Sequence, residues 1–597
     1  MGVPGFFMWL WKRYKGTNFV FNRTNLDKIK DKKLIKKLNS IDYLLVDTNC
    51  MIHPKCFEIL ADFNHITNKN DLENTMMNHS IEYLDSIVKY VDPKKGVFVA
   101  IDGVAPVAKI KQQRSRRFKS VHDRIMWKNI KKKHGKEIKN EWNNSAITPG
   151  TEFMRVLNNK VIEWSKKQSI EVIYSSCNTP SEGEHKLLQF IRENEKNKKK
   201  YSYVFYGLDA DLIFLALATG LDDIYLLREA VHLNRNKPTD ELNYVWIDKM
   251  RDSIYDTVYD MLLDEGLEKN IIDKNLKRRR ITDDFIFICY LLGNDFLPHL
   301  PSLDISKDGI DYLLEQYVEV FIENKFKYLI DATKKEKINQ KVFENIISKL
   351  AEDEPSVLYE NSNKRKRRYK SQSSDPYDME VHRIDKLMFK IHDPIKLGYI
   401  PKNKMKDNDK DNSVLETFSE EWKARYYSHY FGTIEEDQEV FVEDMARHYL
   451  LGLKWVTEYY FEDCPSWDWY FPYDHPPFLE DVAKYVKKNP FKKFKFSKGK
   501  PLKPLMQLMC VLPPQSAFLL PMPLRKVMTN PNSSLGHLYP IDFEQDFIGK
   551  GVYWKAIPYL PSLEIGLVKR TFMKYEKKLN DEDKKRNRMI KNYEFNL

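Results

Sequence analysis

The sequence predicts an α/β protein built on a largely parallel sheet with helices on both faces, followed by a second packed region. Three observations carry this expectation. Over the first 330 residues short apolar runs alternate with longer helical patterns, most of those runs end in acidic residues, and aromatic and apolar density returns from about residue 413 after a polar stretch. Strands alternating with helices imply crossover connections, which make the strands parallel and cover both faces of the sheet. Ligands of such sheets bind beyond the carboxyl ends of the strands.

In chain order, the candidate strands are Ile41–Asp47, Val97–Asp102, Ile170–Ser175, Tyr203–Leu208 and Asp223–Arg228. Amphipathic stretches lie between them at Ile81–Val91, Phe153–Lys167 and Glu184–Asn194. Residues 122–145 are Lys-rich with sparse apolar positions, the pattern of a solvated helical insertion. The resulting division is an α/β sheet region over 1–332, a charged and partly disordered linker over 333–412, a second packed region over 413–567 and a charged tail over 568–597. The linker holds K-R-K-R-R at 364–368, which reads as a nuclear localisation signal, a surface for RNA or a solvated run.

Composition supports this outline. With 42% hydrophobic and 13% aromatic residues, 597 residues bury sizeable cores, and a mostly disordered chain is excluded. Only 21 glycines exclude collagen-like architectures. A net charge of +12 hints at a polyanionic partner. The six cysteines form no C-x-x-C pair, which argues against a zinc site or a disulfide framework. No apolar run approaches a membrane span, and the N-terminus reads apolar first and cationic second, the reverse of a signal peptide. The expectation is a soluble intracellular protein, monomeric and without membrane contact. No G-x-x-x-x-G-K-[ST] loop occurs, so a kinase or helicase is not supported.

The strand ends are acidic. Asp47 closes L-L-V-D, Asp102 closes V-F-V-A-I-D, Asp209 and Asp211 follow Y-V-F-Y-G-L, Glu182 and Glu184 stand in S-E-G-E-H-K, and Asp295 follows Y-L-L-G-N. One such residue at a strand-to-helix junction is an ordinary N-cap. Seven, two pairs of them separated by one residue, would converge on one rim of a parallel sheet and repel one another unless cations neutralise them. Oxygen ligands without His or Cys call for Mg²⁺ or Mn²⁺, and two such ions about 3.5–4 Å apart suit phosphodiester displacement. Directly after Asp102 comes a basic run in which Lys109, Gln113, Arg116 and Arg117 share one helical face, a grip for phosphate oxygens.

At this point the resemblance becomes specific. M-G-V-P-G-F-F, D-T-N-C-M-I-H, I-D-G-V-A-P-V-A-K-I-K-Q-Q-R-S-R-R-F, I-T-P-G-T-E-F-M, S-E-G-E-H-K, Y-G-L-D-A-D-L-I and L-L-G-N-D-F-L-P-H-L-P occur in order, and Y-Y-S-H-Y-F-G, L-K-W-V-T-E-Y-Y-F-E-D-C-P-S-W-D-W-Y-F-P, Q-L-M-C-V-L-P and D-F-I-G-K-G-V-Y-W-K follow. Together they resemble the XRN family of 5′→3′ exoribonucleases over nearly the whole chain outside 333–412 and the tail. The resemblance implies a PIN/FEN-like sheet with a second, mainly helical region packed around it. It also implies Mg²⁺-dependent release of nucleoside 5′-monophosphates from single-stranded RNA bearing a 5′-monophosphate.

Carried over to this chain, the acidic centre is Asp47, Asp102, Glu182, Glu184, Asp209, Asp211 and Asp295. Asp47, Asp102, Glu184 and Asp209 would favour one ion, and Asp211 and Asp295 the other. The 5′-phosphate pocket is Lys109, Gln113, Arg116 and Arg117, and His53 stacks on a base with Trp467 or Trp469 closing the stack. Stacking suits a sequence-indifferent enzyme, because every base has a π-face. Departures from the family pattern are Glu152 for Pro, W-N-N-S-A for D-S-N-C, Met8 for Arg, L-P-S-L-E at 560–564 for L-P-F-I-D, and a short insertion at 122–145. The extra C-terminal domains of the large cytoplasmic members are not expected. The alternatives are a flap endonuclease or 5′→3′ DNA exonuclease sharing the acidic sheet, and a catalytically silent RNA-binding scaffold.

Overall fold

The computed structural model describes residues 6–14, 19–22, 32–62, 68–138, 142–229, 241–304, 309–363, 373–393, 412–433 and 435–595. The described strands are β1 (Val20–Asn22), β2 (Tyr43–Asp47), β3 (Gly96–Ala100), β4 (Glu171–Ser175), β5 (Tyr203–Tyr206), β6 (Ile224–Glu229), β7 (Leu242–Trp246), β8 (Gln545–Asp546), β9 (Ile557–Pro558) and β10 (Tyr593–Phe595). All but β8 and β9 form one sheet in the order β1-β7-β6-β5-β2-β3-β4-β10. The five central strands, β6-β5-β2-β3-β4, run parallel, while β7, β1 and β10 add antiparallel edges. These five are the five strands expected from the sequence, each within a few residues of its expected bounds. Fully buried apolar runs mark strands covered on both sides.

Successive side chains alternate between two cores, as the pleat requires. Leu45, Phe98 and Phe205 join one core with the helices Asp211–Thr219, Ile247–Asp264 and Arg278–Tyr290. Leu44, Val46, Val99 and Val204 join the other with Lys69–Val91, the inner turns of Val107–Lys133 and Glu152–Ser165. The second region supplies both: Tyr449, Trp455 and Val482 pack on the first face, Leu505, Met509 and Leu524 on the second. It therefore straddles the sheet.

Three expectations differ. The linker does not begin at 333, because Gln340–Asn363 is a helix whose Val342, Phe343, Ile346, Ile347 and Leu350 are buried in the first core. Pro376–Asp385 is also helical, while the K-R-K-R-R run lies outside the described residues. The tail is not a loose charged end: Ile565–Glu576 buries Val568 and Phe572, and β10 pairs antiparallel with β4. Asn178 donates to the carbonyls of Arg586 and Arg588, stitching the segment down. The insertion expected helical over 122–145 is helical only to Lys133, as the outer part of the 27-residue helix Val107–Lys133; Asn144–Ala146 is a separate short turn with Ser145 and Ala146 buried, and 139–141 lie outside the described residues. No described helix is long and apolar enough to cross a membrane.

Candidate active site

The parallel strands point their carboxyl ends the same way, and chain order reverses beside β2, where such sheets open a crevice. Asp47 is the last residue of β2, and Asp102 lies two residues past β3. Glu182 and Glu184 open the helix Gly183–Lys196 after β4, Asp209 and Asp211 fill the turn after β5, and Asp295 follows Arg278–Tyr290. Glu182 stands at the N-cap position but makes no side-chain capping bond, so its carboxylate serves something else. One backbone position pulls two strand ends together. The Gly183 amide donates to Asp102 Oδ1 at 2.6 Å, and a Cβ on Gly183 would lie 2.7 Å from Asp47 Oδ1. The E-G-E spacing thus needs its glycine for close approach.

The gathered charges perturb one another. Burial, then Asp102, pushes Asp47 up to about 7. Burial, then Asp295 and Asp209, does the same to Asp211, and Glu184 is driven well above the carboxylate range mainly by burial. Asp295 goes the other way: burial opposes its charge, but the Lys109 ammonium, through its charge and its hydrogen bond, together with further cations including Arg116, holds it far below the ordinary range. Lys109 Nζ lies 2.5 Å from Glu182 Oε1 and 2.8 Å from Asp295 Oδ2. Expected at the phosphate pocket, it is drawn into the acidic rim because it sits in the first turn of its helix, nearest those carboxylates. Among the described residues no three His, Cys, Asp or Glu side chains already surround one point as metal ligands. The donor chemistry nonetheless fits hard divalent cations: every group is a carboxylate, burial and then the neighbouring carboxylates raise Asp47 and Asp211, and Asp47 Oδ1 is buried without a partner among the described residues.

The basic run forms the start of Val107–Lys133, and its cations divide by face. Arg114 is buried and bonds the carbonyls of Cys510 and Leu538, while Lys111 bonds those of Phe471 and Tyr473. Both anchor the second region. Gln113, Arg116 and Arg117 share the other face. Arg117 Nη1 and Gln113 Oε1 are buried without hydrogen-bond partners among the described residues. Burial, then the neighbouring Arg116, pulls Arg117 down to about 10. His53 is pushed down to about 4 by burial, then by Arg117 and Arg116, so it is a neutral ring beside two cations.

The profile of the XRN 5′-3′ exonuclease N-terminus matches residues 1–230, and that of the Xrn1 helical domain matches 275–414 and 396–595. The chain belongs to the XRN 5′-3′ exonuclease family. Similar curated proteins include 5′-3′ exoribonuclease 2 of Arabidopsis thaliana, 30% identical over 98% of this chain and 68% of that protein. Human 5′-3′ exoribonuclease 1 is 31% identical over 98% of this chain and 35% of its own length. The 5′-3′ exoribonuclease 2 homolog of Drosophila melanogaster is 29% identical over 99% and 73%.

In this XRN chain the two tryptophans differ. Trp469 stacks on Trp455 at 5.4 Å and meets Phe496, so one face is taken by core packing. Trp467 is pinned at the start of the basic helix, its carbonyl accepting from the Val107 amide at 3.0 Å.

Four supporting residues were not singled out from the sequence. Asn49 Nδ2 donates to Asp102 Oδ2 at 2.8 Å, and the Cys50 thiol donates to Asp47 Oδ2 at 3.0 Å. Lys186 is buried and ties the carbonyls of Ile101 and Ser176, at the ends of β3 and β4; burial lowers it to about 7. Tyr459, from the second region, donates to Glu182 Oε2 at 2.7 Å and stacks on His185 at 3.6 Å. Glu182 is therefore held through both oxygens. Asn49 and Cys50 stand inside D-T-N-C and Lys186 inside S-E-G-E-H-K, so their motifs were the available signal; Tyr459 needed the tertiary fold.

Proposed function

We propose that the chain is a 5′→3′ exoribonuclease that hydrolyses single-stranded RNA bearing a 5′-monophosphate to nucleoside 5′-monophosphates, with two divalent ions, Mg²⁺ or Mn²⁺, held by Asp47, Asp102, Glu182, Glu184, Asp209, Asp211 and Asp295. The observation that carries this reading is the pairing of a buried acidic rim with an arginine pair lacking a carboxylate partner among the described residues, linked by the segment Asp102–Arg117, which gives Asp102 to the rim and carries both arginines. Gln113, Arg116 and Arg117 take the terminal phosphate, Arg117 through a guanidinium edge that nothing described occupies. That places the next phosphodiester at the rim. His53, neutral at physiological pH, stacks on a base without repelling the arginines, and Trp467 closes the stack. Lys109 lies between the phosphate grip and Glu182 and Asp295, where it balances their charge. Divalent ions bound by these carboxylates would supply Lewis-acid chemistry to phosphodiester hydrolysis. Tyr459, Asn49 and Gly183 fix the carboxylates that would hold them.

End-labelled RNAs carrying a 5′-phosphate, hydroxyl, triphosphate or cap, digested with and without Mg²⁺, test the reading. Metal-dependent release of mononucleotides from the 5′-phosphorylated RNA alone is the expected result. Preference for single-stranded DNA or a flapped duplex would move the assignment to a DNA nuclease, and no metal-dependent release at all would end it.

A further inference from the structure

A cationic feature of the second region lies apart from both the acidic rim and the basic helix. Residues 482–503 contain nine lysines and no acidic residue. Lys484, Lys498 and Lys503 reach Glu480, Asp463 and Glu576. Lys487, Lys488, Lys492, Lys493, Lys495 and Lys500 are exposed, and none pairs with a carboxylate among the described residues. A surface that is merely solvated mixes both signs; a single-sign run sets up a field that attracts a polyanion.

The backbone beneath these lysines is fixed. Phe491 and Phe494 are buried, the Phe491 amide donates to Gln340 Oε1 at 2.9 Å, and its carbonyl accepts from Lys454. The aromatic rings face inward, so the segment offers charge to solvent rather than rings for base stacking. It is also tied to the site. Phe496 packs with the first core and Leu502 with the second, so the chain between them passes from one face of the sheet to the other. On the way the Lys498 carbonyl accepts from the Trp467 amide at 2.9 Å, and Trp467 in turn holds Val107, two residues before Lys109. Farther on, Gln507 accepts from the Ala105 amide in the loop behind Asp102.

We propose that the lysine strip at 484–500 is a second RNA-binding surface, which holds the phosphodiester backbone of the single strand on the 3′ side of the nucleotides seated at the rim. The inference rests on the exoribonuclease reading and adds a contact outside the active site. Point charges on flexible stems contact phosphates without reading bases, which suits an enzyme that must accept every sequence. Continuity with Trp467 favours RNA over an acidic protein as the occupant.

The full chain carrying Lys487→Gln, Lys488→Gln, Lys492→Gln, Lys495→Gln and Lys500→Gln tests this against the wild type, with a 5′-phosphorylated trinucleotide and a long unstructured 5′-phosphorylated strand as substrates. The trinucleotide is too short to reach the strip and is cleaved at an unchanged rate, whereas kcat/KM on the long strand falls about 10-fold at low salt. Each phosphate contact in a single strand contributes about 0.7 to the slope of log affinity against log salt, so with five lysines removed the slope for the long strand becomes shallower by up to ~3.5. Lys131→Gln with Lys132→Gln, at the far end of the basic helix, leaves both substrates unaffected. Unchanged long-strand affinity and salt slope, the result if the strip instead serves an acidic protein, overturns the proposal, and so does an equal loss on both substrates. Were the wild-type chain to cleave neither substrate, the exoribonuclease reading would fall, while lysine-dependent binding of the long strand would still uphold the strip.

Discussion

Buried carboxylates occur in two settings here, at the rim of the sheet and in the helical packing behind it. Asp284 and Glu354 lie in the second setting. Asp284 accepts from the Tyr317 hydroxyl and the amides of Leu329 and Ile330, and Glu354 from the amides of Leu479 and Glu480 and the Ser302 hydroxyl. Burial pushes both up to about 7, the value that Asp47 and Asp211 reach at the rim. Perturbation alone therefore does not separate them. What separates them is the partner list. The interior pair is satisfied by backbone amides and hydroxyls and acts as structural mortar; the rim crowds carboxylate against carboxylate, with Lys109 as its nearest cation. Asp283 and Asp481 also raise the interior pair, but only after its amide donors, whereas at the rim a like charge ranks directly behind burial, and that ordering marks the candidate site.

The largest effects should fall on opposite readouts. Asp209→Ala or Asp47→Ala is expected to lower cleavage by about 10³-fold or more while the thermal midpoint holds, because a repulsive group has gone. Asp284→Ala should do the reverse: two buried amides and a phenol lose their acceptor, costing about 3 kcal/mol of stability, with the turnover of folded molecules retained. If the rim variants unfold and the Asp284 variant loses only activity, the contrast collapses. Next in size, Arg117→Ala should erase about 100-fold of preference for a 5′-phosphate over a 5′-hydroxyl, read as the ratio of kcat/KM values. Tyr459→Phe sharpens the comparison further. It should raise the Mg²⁺ concentration for half-maximal rate by about 10-fold with KM for RNA unchanged, since the phenol orients Glu182 rather than substrate; a shifted KM at constant metal demand would count against that role.

The gentlest effect is on pH. All four carboxylates titrate near 7 when folded against about 4 when unfolded, so the folded chain holds protons that the unfolded chain has released across that window, and stability falls as pH rises through it. Bound Mg²⁺ favours the ionised rim and removes that part of the loss, leaving the part due to Asp284 and Glu354. Melts of chelator-treated and Mg²⁺-loaded protein at about pH 5 and about pH 7.5 should thus differ more at the higher pH. A constant gap would remove the rim from the account.

Much of the rim was legible in the sequence because parallel strands buried on both faces read as unbroken apolar runs, with Asp47, Asp102 and Asp209 at or just past their ends; Asp295 instead follows a buried run that is the helix Arg278–Tyr290. The same logic failed where burial is one-sided or long-range. β1 is three residues long, and β10 lies in a segment dominated by charge, so neither offers a periodic signal without its partner. The helix Gln340–Asn363 was hidden by composition: averaged over its polar surroundings it reads as linker, although Val342, Phe343, Ile346, Ile347 and Leu350 fall on one helical face. Charge spacing grouped Lys109 with Arg116 and Arg117 but gave no sign that it also bridges Glu182 and Asp295. Tyr459 reaches Glu182 across 277 residues of sequence, a contact that no local pattern encodes.

The pairing of β10 with β4 has a consequence for how the enzyme is made. Until the residues near 593 emerge from the ribosome, β4 presents an unpaired margin with free amides and carbonyls, an invitation to foreign strands. At ordinary elongation rates the interval between synthesis of the two partners is on the order of a minute. The last strand to be made thus closes an edge that the first third of the chain has already built.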